Sequence, residues 1–374
     1  MGIHLHGSEM ISRREFSCAV AGGFLPELGF AQHAAVLGDA PPGTVWLNAN
    51  ENPDGPPQES REALAQAIPD AGRYNHRIFP LLYEILARSA SLKPDQILVG
   101  AGSTEVLHCA LDAFTSPRRP LITAWPTWEM TSELAAAVGH PVVQVPLTRS
   151  WSVDVERMAA EAKKAAGGVI HFGNPNNPTS SLTGKAEVRW LAENLPPDTV
   201  ILIDEAYIQF ADPAAMLSGV DLVREGKNVV ATRTFSKLYG MAGVRVGFGC
   251  APAELVRKMQ PFRNNVISIL GVRAAMAAVQ AGDSLVAERR ARRLSIRGQF
   301  CSWLDALGRR YIPPSANFVL IDLGRQVGEV IPRMLAEGVA VGRRFASLDT
   351  WMRVTMGTGP EMEKFKVAFQ KVMA

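Results

Sequence analysis

From Ile97 onward, short apolar runs alternate with segments of helical periodicity, and this alternation constrains the fold more than any other feature. The runs occupy 97–99, 121–123, 142–145, 169–172, 200–203, 229–231 and 244–248. Such alternation predicts a mostly parallel sheet covered by helices on both faces. The run at 200–203 is apolar at every position, as is expected of a strand buried on both sides.

The chain has 374 residues, too many for one ordinary core and enough for two. After about Pro252, helical patterns cover 268–281 and 285–307, and a strand pattern at 318–321 opens a small α+β region. We predict four parts: a leader or disordered extension over 1–35, an N-terminal arm with part of a small domain over 36–70, a large α/β domain over 71–260, and a C-terminal small domain over 261–374.

Composition excludes several classes of protein. The formal net charge of +3 gives no reason to expect a nucleic-acid partner. Four widely spaced cysteines form no CxxC pair, so we expect neither a metal site nor a disulfide framework. We also expect no membrane anchor, because no apolar run is long enough to span a bilayer.

The N-terminus carries an export pattern. Ser12-Arg13-Arg14-Glu15-Phe16 matches a twin-arginine signal; an uncharged stretch at 17–25 and small residues at 31–35 follow it. We predict twin-arginine export to the periplasm. Pro26 and Glu27 interrupt the apolar region, and the alternative is an uncleaved extension on a cytoplasmic protein.

Two polar residues follow predicted central strands. Asp204 directly follows the run at 200–203, so its carboxylate belongs at the carboxyl edge of the sheet, where ligands of open α/β sheets bind. A carboxylate there can keep a pyridinium nitrogen protonated. Lys237 follows the run at 229–231, and a lysine in such a site loses affinity for its proton, as Schiff-base formation requires. The alternatives are a turn residue for Asp204 and a solvated surface lysine for Lys237.

Groups suited to a phosphate surround these positions. Thr234 and Ser236 supply hydroxyls and Arg245 a guanidinium. The Gly-rich turn at 100–104 places free helix amides after a strand. Asn174-Pro175-Asn176-Asn177-Pro178-Thr179 follows another strand and could donate an amide to a ring hydroxyl. Each motif taken singly is also compatible with an ordinary turn.

Over residues 45–374 the sequence resembles the class I/II (fold type I) aminotransferases, and within them the histidinol-phosphate aminotransferases. Seven motifs in the order of the family carry the resemblance: Leu47-Asn48-Ala49-Asn50-Glu51-Asn52-Pro53, Arg73-Tyr74, Gly102-Ser103-Thr104-Glu105, Asn176-Asn177-Pro178-Thr179, Asp204-Glu205-Ala206-Tyr207, Ser236-Lys237 and Arg353-Val354-Thr355. The resemblance implies an α/β fold with a large domain and a smaller α+β domain, and pyridoxal 5'-phosphate (PLP) as cofactor.

The roles of the family carry over to matching residues. Lys237 would hold the cofactor and move the substrate proton, Asp204 would pair with the pyridinium nitrogen, and Asn177 and Tyr207 would bind the ring oxygen. Arg353 would bind the substrate carboxylate, and Asn50 would also contact the substrate. The phosphate would be held by Ser103, Thr104, Thr234, Ser236 and Arg245, with Trp128 stacked on the ring. Tyr74 matches a tyrosine that reaches the phosphate of the other subunit, which implies a homodimer.

Two positions depart from the family. Ser180 stands where glycine usually follows Asn-Pro-Thr, so that turn could be shaped differently. Trp128 stands where close relatives more often have tyrosine, a change that keeps stacking and removes a hydroxyl. Arg343 and Arg344 could supply a second anion site.

The resemblance therefore implies a transaminase that exchanges an amino group, in ping-pong fashion, between an L-amino acid or amino-alcohol phosphate and a 2-oxo acid. One alternative is a decarboxylase of the threonine-phosphate type on the same scaffold. Another is a non-catalytic PLP-binding protein, against which the intact Lys237 and Asp204 argue. Export would separate the protein from a cytosolic intermediate such as histidinol phosphate, so the sequence leaves the substrate open.

Overall fold

The computed structural model describes residues 40–263 and 267–374, so the predicted leader at 1–35 lies outside them. The strands are β1 (Val45–Leu47), β2 (Ile97–Gly100), β3 (Leu121–Trp125), β4 (Val142–Pro146), β5 (Gly168–Gly173), β6 (Thr199–Asp204), β7 (Val229–Thr234), β8 (Gly247–Cys250), β9 (Phe318–Asp322), β10 (Val339–Val341) and β11 (Trp351–Thr355). The helices are α1 (Gln58–Ala67), α2 (Phe79–Ser89), α3 (Ser103–Phe114), α4 (Met130–Ala137), α5 (Val155–Lys164), α6 (Lys185–Glu193), α7 (Gly219–Arg224), α8 (Ala253–Met259), α9 (Ile269–Gln280), α10 (Gly282–Ala306), α11 (Val327–Ala336) and α12 (Gly359–Met373).

A seven-stranded sheet forms the centre, in the order β2-β8-β7-β6-β5-β3-β4. All neighbouring pairs are parallel except those of β8, which runs antiparallel to both β2 and β7. The predicted mostly parallel sheet is confirmed. Because β5, β6 and β7 are parallel neighbours, the residues that follow them meet at one edge.

The two faces of the sheet carry separate cores. On β6, Leu202 packs with Leu107 of α3 on one face. Ile201 packs with Met158 of α5 on the other face. Both strand residues are buried, which explains the uninterrupted apolar run at 200–203.

The strand predicted at 244–248 is a correction: β8 begins only at Gly247. Ala242–Val244 forms a 3-10 turn, and Arg245 has a left-handed φ of 60°. The valines at 244 and 246 extended the apolar pattern beyond the strand. Strand pairing begins at Gly247, opposite Gly100 of β2 and Thr234 of β7. Glycine is needed there, because a Cβ would lie 2.2 Å from the backbone nitrogen of Ser103.

The small sheets join the two ends of the described chain. β1 pairs in parallel with β10, and β9 pairs antiparallel with β11. Phe300 of α10, Val319 of β9 and Phe365 of α12 share one buried cluster here. The pairing of β1 with β10 agrees with an N-terminal arm that joins a C-terminal small domain; the predicted domain bounds themselves stay predictions.

Within the described ranges no single helix is long and apolar enough to cross a membrane. The pair α9 and α10, which meet at an angle of 89°, has the required length and apolar composition only when the two helices are taken together.

Candidate active site

Lys237 lies just beyond β7, at the carboxyl edge of the central sheet. Its Nζ donates to the carbonyl oxygen of Ala49 at 3.1 Å and lies 5.7 Å from the centre of the Tyr207 ring. Part of the side chain stays open to solvent. Burial, and next the Arg353 cation, lower the pKa of Lys237 to about 8. A measurable share of the amine is therefore neutral at physiological pH.

Asp204 ends β6, the strand beside β7. Its Oδ1 accepts from the Thr232 hydroxyl at 3.0 Å and from the Ala206 backbone at 3.1 Å. Burial raises the pKa of Asp204 to about 6, while these two hydrogen bonds act to lower it. A cation placed against this carboxylate would lower its pKa further and would itself be stabilised.

Tyr207 is buried three residues after Asp204, edge-on to Phe318 with ring centres 5.0 Å apart. Asn50 donates its side-chain amide to the Tyr207 hydroxyl at 3.0 Å. The side-chain carbonyl oxygen of Asn50 accepts a hydrogen bond from the Thr355 hydroxyl at 3.3 Å. Since both ends of the Asn50 side chain are engaged, its contacts position Tyr207; a direct substrate contact stays a prediction.

The predicted phosphate residues converge at the N-terminus of α3. Gly102, with φ of 81°, precedes this helix, and a Cβ on it would lie 2.4 Å from Nη2 of Arg245. Arg245 Nη1 reaches the Ser236 hydroxyl at 3.5 Å, and Thr234 donates to that hydroxyl at 2.9 Å. Free helix amides, two hydroxyls and a guanidinium thus face one place, with Ser103 and Thr104 in the first turn.

The loops after β3 and β5 are fastened to each other. Thr127 donates its hydroxyl to Asn176 Oδ1 at 2.7 Å, and Asn176 Nδ2 donates to the Pro126 carbonyl at 2.9 Å. Trp128 follows directly and packs against the α3 side of the core. The helix α4 begins only at Met130, because the loop before it is committed to those contacts.

Arg353 joins the small sheet to the loop after β5. Its Nη1 donates to Asn177 Oδ1 at 2.6 Å and its Nη2 to the Asn48 carbonyl at 2.7 Å. Its Nε is buried and has no acceptor among the described residues. Burial lowers the pKa of Arg353 to about 10, which still leaves a cation near neutral pH. A buried guanidinium without a carboxylate partner suits an anionic ligand group.

Ser180 resolves the first departure from the family. Its φ of 59° is the left-handed conformation in which glycine is favoured, so the turn keeps that shape without glycine. The serine hydroxyl accepts the backbone N–H of Ala316 at 2.9 Å.

Sequence reasoning missed Asn317. This buried residue donates its side-chain amide to the carbonyl oxygens of Asn50 at 3.1 Å and Glu51 at 3.3 Å. A polar residue directly before the apolar strand β9 was the available signal. Thr232 was missed because it reads as an ordinary strand residue.

Of three further predicted residues, Tyr74 and Arg344 have no contact with this cluster among the described residues. Arg343 lies beside it, because its guanidinium and that of Arg353 face the same Phe345 ring, 4.4 and 5.2 Å from the ring centre. Tyr74 is 71% exposed and stacks on His76, with ring centres 5.7 Å apart. Arg343 pairs with Glu129 and covers the Phe345 ring, and Arg344 pairs with Asp349. Both arginines therefore already have carboxylate partners within the chain.

Comparison with known proteins places this site in context. The model of the family described as aminotransferase class I and II matches residues 42–372. A histidinol-phosphate aminotransferase of Moorella thermoacetica is 32% identical over 339 residues, which cover 88% of this chain and 86% of the relative. One of Symbiobacterium thermophilum is 34% identical over 334 residues, which cover 88% of this chain and 90% of the relative.

Solved structures agree with the sequence relatives. Histidinol-phosphate aminotransferase from Sinorhizobium meliloti, in complex with pyridoxal-5'-phosphate, superposes with a TM-score of 0.84 at 25% identity, covering 94% of this chain and 99% of that one. Aspartate aminotransferase from Thermus thermophilus, at 22% identity and a TM-score of 0.77, shares the fold and covers 98% of this chain and 100% of that one.

The donor set of this chain fits PLP. Asp204 offers a carboxylate at the edge where a ring nitrogen would lie. Because Gly102 and Gly247 carry no side chain, the Arg245 guanidinium and the first turn of α3 can approach closely enough to form one phosphate cradle. The amine of Lys237 lies 5.7 Å from the centre of the Tyr207 ring and close enough to Asp204 for that carboxylate to act on its pKa.

Proposed function

The chain belongs to the aminotransferase class I and II family, and on that premise we propose the residues, substrates and assembly through which it works. It is a PLP-dependent aminotransferase of fold type I. When bound, PLP supplies an electron sink for the electron pair released as the substrate Cα–H bond breaks. The relatives reported above are named as aminotransferases, which favours transamination over decarboxylation.

Lys237 is the proposed attachment and proton-transfer residue. Its lowered pKa of about 8 leaves neutral amine available to attack a carbonyl carbon. Once it is released from the cofactor, the same Nζ can move the proton between the substrate Cα and the cofactor. The nearby Arg353 cation helps to keep the amine neutral.

Asp204 is the proposed partner of the cofactor nitrogen. Two hydrogen bonds to Oδ1 fix the carboxylate, so Oδ2 would be available to accept a hydrogen bond from the protonated ring nitrogen and keep the proton there. Asn177 and Tyr207 are the proposed donors to the ring oxygen. With its pKa raised to about 12 by burial, Tyr207 keeps its proton and can donate it.

Arg353 is the proposed carboxylate site for both the amino acid and the 2-oxo acid. Its two Nη groups are held by Asn177 and Asn48, so the fork is oriented before a ligand arrives. One arginine that serves both half-reactions fits a ping-pong exchange, because the two substrates occupy the site in turn.

An L-amino acid or an amino-alcohol phosphate is the proposed amino donor. The names of the two bacterial relatives make histidinol phosphate the phosphate-bearing candidate if the protein stays in the cytoplasm. Arg343 and Arg344, the candidate site for a substrate phosphate, are already paired with Glu129 and Asp349. A substrate phosphate would have to compete with those carboxylates. An L-amino acid with a single carboxylate needs no such exchange, so both donor classes belong in a substrate screen.

A homodimer is the proposed assembly. Tyr74 is far more exposed than an aromatic ring usually is, and it stacks only on His76 of its own chain among the described contacts. The matching tyrosine of the family reaches the cofactor phosphate of the other subunit, and a partner subunit packed over this ring would allow the same contact here. We also propose export through the twin-arginine signal at 12–16, with a cytoplasmic location as the alternative.

The single observation that carries the proposal is the meeting of Lys237, Asp204 and Arg353 at one edge of the sheet. Borohydride reduction of the purified holoenzyme, followed by peptide mapping, tests it. We expect the pyridoxyl group on Lys237; its recovery on another lysine would refute the assignment. Amino donors and 2-oxo acids, histidinol phosphate included, are then screened with the same preparation.

A further inference from the structure

A second cavity lies away from the site around Lys237. It occupies about 530 Å³ between the C-terminal half of α10 and the segment 309–314 that leads into β9. This volume falls in the range of small-molecule sites, roughly 300 to 1,000 Å³. The smaller cavity beside Ser236, of about 320 Å³, shares no lining residue with it. We call the larger one the Arg297 pocket.

Positive charge dominates the lining of the Arg297 pocket. It contains the guanidinium groups of Arg297, Arg309 and Arg310, against the carboxylate of Asp305. Arg310 is already paired with Asp322 outside the pocket. Neither Arg297 nor Arg309 forms an ion pair within the described residues; Arg309 lies 5.8 Å above the ring of Phe369 instead.

Arg297 presents unused donors on one edge. Its Nη1 donates to the Ala316 carbonyl at 2.8 Å and reaches that of Phe210 at 3.5 Å. Its Nε and Nη2 have no acceptor among the described residues. Burial lowers the pKa of Arg297, which reflects the cost of a cation partly withdrawn from water. An Nε–Nη2 edge is the geometry that binds two oxygens of a carboxylate or phosphate.

Apart from Asp305, the other polar groups of the pocket are neutral. Burial raises the pKa of Cys301, so its thiol stays protonated near neutral pH. Burial likewise raises the pKa of Tyr311, whose hydroxyl interacts with Cys301 and Asp305. Leu294 and Pro313 add apolar wall. The pocket thus combines two cations that form no ion pair among the described residues, one carboxylate (Asp305), neutral donors and an apolar side.

We propose that the Arg297 pocket binds a small oxyanion, a phosphate or carboxylate group, held by Arg297 and Arg309. The site is separate from the catalytic cluster and does not depend on the proposed substrates. Arg297 also holds Ala316, whose N–H is bonded to Ser180, so a bound anion would stabilise the junction between β9 and the loop after β5.

Calorimetric titration of the holoenzyme with inorganic phosphate, and separately with citrate, tests the proposal. Ionic strength is held constant with chloride, and turnover is not the readout. We expect one binding event per chain for at least one of the two probes. Arg297→Gln and Arg309→Gln should each weaken it at least about tenfold, since a charge-assisted hydrogen bond is lost. Arg325→Gln, at an exposed position of the same domain, should leave it unchanged.

The proposal is wrong if neither probe binds, or if Arg325→Gln weakens the affinity for the probe as much as Arg297→Gln does. It is also wrong if the affinity is lost only in Arg353→Gln, because the anion would then bind at the active site. The melting temperature of each variant reports folding, and Arg309→Gln decides if Arg297→Gln does not fold. Comparison of the phosphate titration with the citrate titration shows whether the pocket binds a phosphate or a carboxylate group.

Discussion

The hydroxyl of Ser180 accepts the backbone N–H of Ala316 at 2.9 Å, across 136 positions of sequence. The backbone of Ser315 returns the contact by donating to the Ser180 carbonyl at 2.7 Å. A residue in a conformation that favours glycine therefore also ties the loop that carries Asn177 to the start of β9. The hydroxyl explains why serine is tolerated at this turn.

Two substitutions at Ser180 separate its conformation from its hydrogen bond. Ser180→Ala keeps the left-handed backbone and leaves a buried N–H without an acceptor, so we expect a loss of stability of about 1 to 3 kcal/mol. Ser180→Gly also loses the bond but relieves the conformational cost of about 1 to 2 kcal/mol, so its loss should be smaller. Denaturant unfolding of both variants measures the difference. Equal stability of the two would show that the backbone conformation at 180 costs nothing.

The lowered pKa of Lys237 predicts how cofactor attachment depends on pH. An amine with a pKa of about 8 is neutral in about a tenth of molecules at pH 7 and in about half at pH 8. The rate of covalent attachment of PLP to the apoprotein should therefore rise about fivefold between these values and level off above about pH 9. The absorbance change on mixing measures it.

Arg353→Gln provides the internal check on that profile. Since the Arg353 cation lowers the pKa of Lys237, its removal should move the midpoint to higher pH. Arg344→Gln, which removes an arginine paired with Asp349, should leave the midpoint in place. A midpoint near the ordinary lysine pKa in the wild type would contradict the assignment.

Asp204→Asn should preserve the fold and the cofactor but lower turnover. An amide in this place does not stabilise a protonated ring nitrogen, and losses of this kind are on the order of 10² or more in rate. Thr232→Val, which removes one hydrogen bond to Asp204, should cost much less. Steady-state kinetics at saturating cofactor measure both. Near-normal turnover of Asp204→Asn would mean that the nitrogen is held by another group.

Hybrid dimers test the proposed contribution of Tyr74. Tyr74→Phe should loosen PLP without altering Lys237, because the two residues would serve the same site from different chains. A mixture of Lys237→Ala with an inactive Tyr74 variant should regain activity above both parents, since one site of each hybrid has both native residues. Sedimentation measures assembly; a monomer in solution would rule out the sharing.

Replacement of Arg13 and Arg14 by lysine tests the export proposal. We expect the variant to stay in the cytoplasm, while the wild-type mature chain begins between Gln32 and Val36. Mass measurement of the native protein in each cell fraction separates the two locations. An uncleaved N-terminus in every fraction would favour the cytoplasmic alternative and histidinol phosphate as the substrate.

The sequence by itself determined the strands of the central sheet and which polar residues follow them. Apolar runs followed by polar residues identify β5, β6 and β7. The run in β6 is apolar at every position, as is typical of a strand buried on both faces, whereas the run in β5 includes His171. The rule that ligands bind at the carboxyl edge then places Asp204 and Lys237 together without any coordinates. The apolar pattern was less reliable at β8, because Val244 and Val246 lie outside the strand but have the same apolar character as a strand residue.

Only the tertiary structure decided which groups touch across long separations. Ser180 meets Ala316, Arg353 meets Asn177, and Asn50 meets Tyr207, and none of these pairs leaves a periodic trace in the sequence. The pKa values of Lys237 and Asp204 likewise depend on burial and on neighbouring charges that come from distant segments. Periodicity reports which side of an element faces the core, whereas a hydrogen bond between loops depends on how separate elements pack, and that is settled only when the chain has folded.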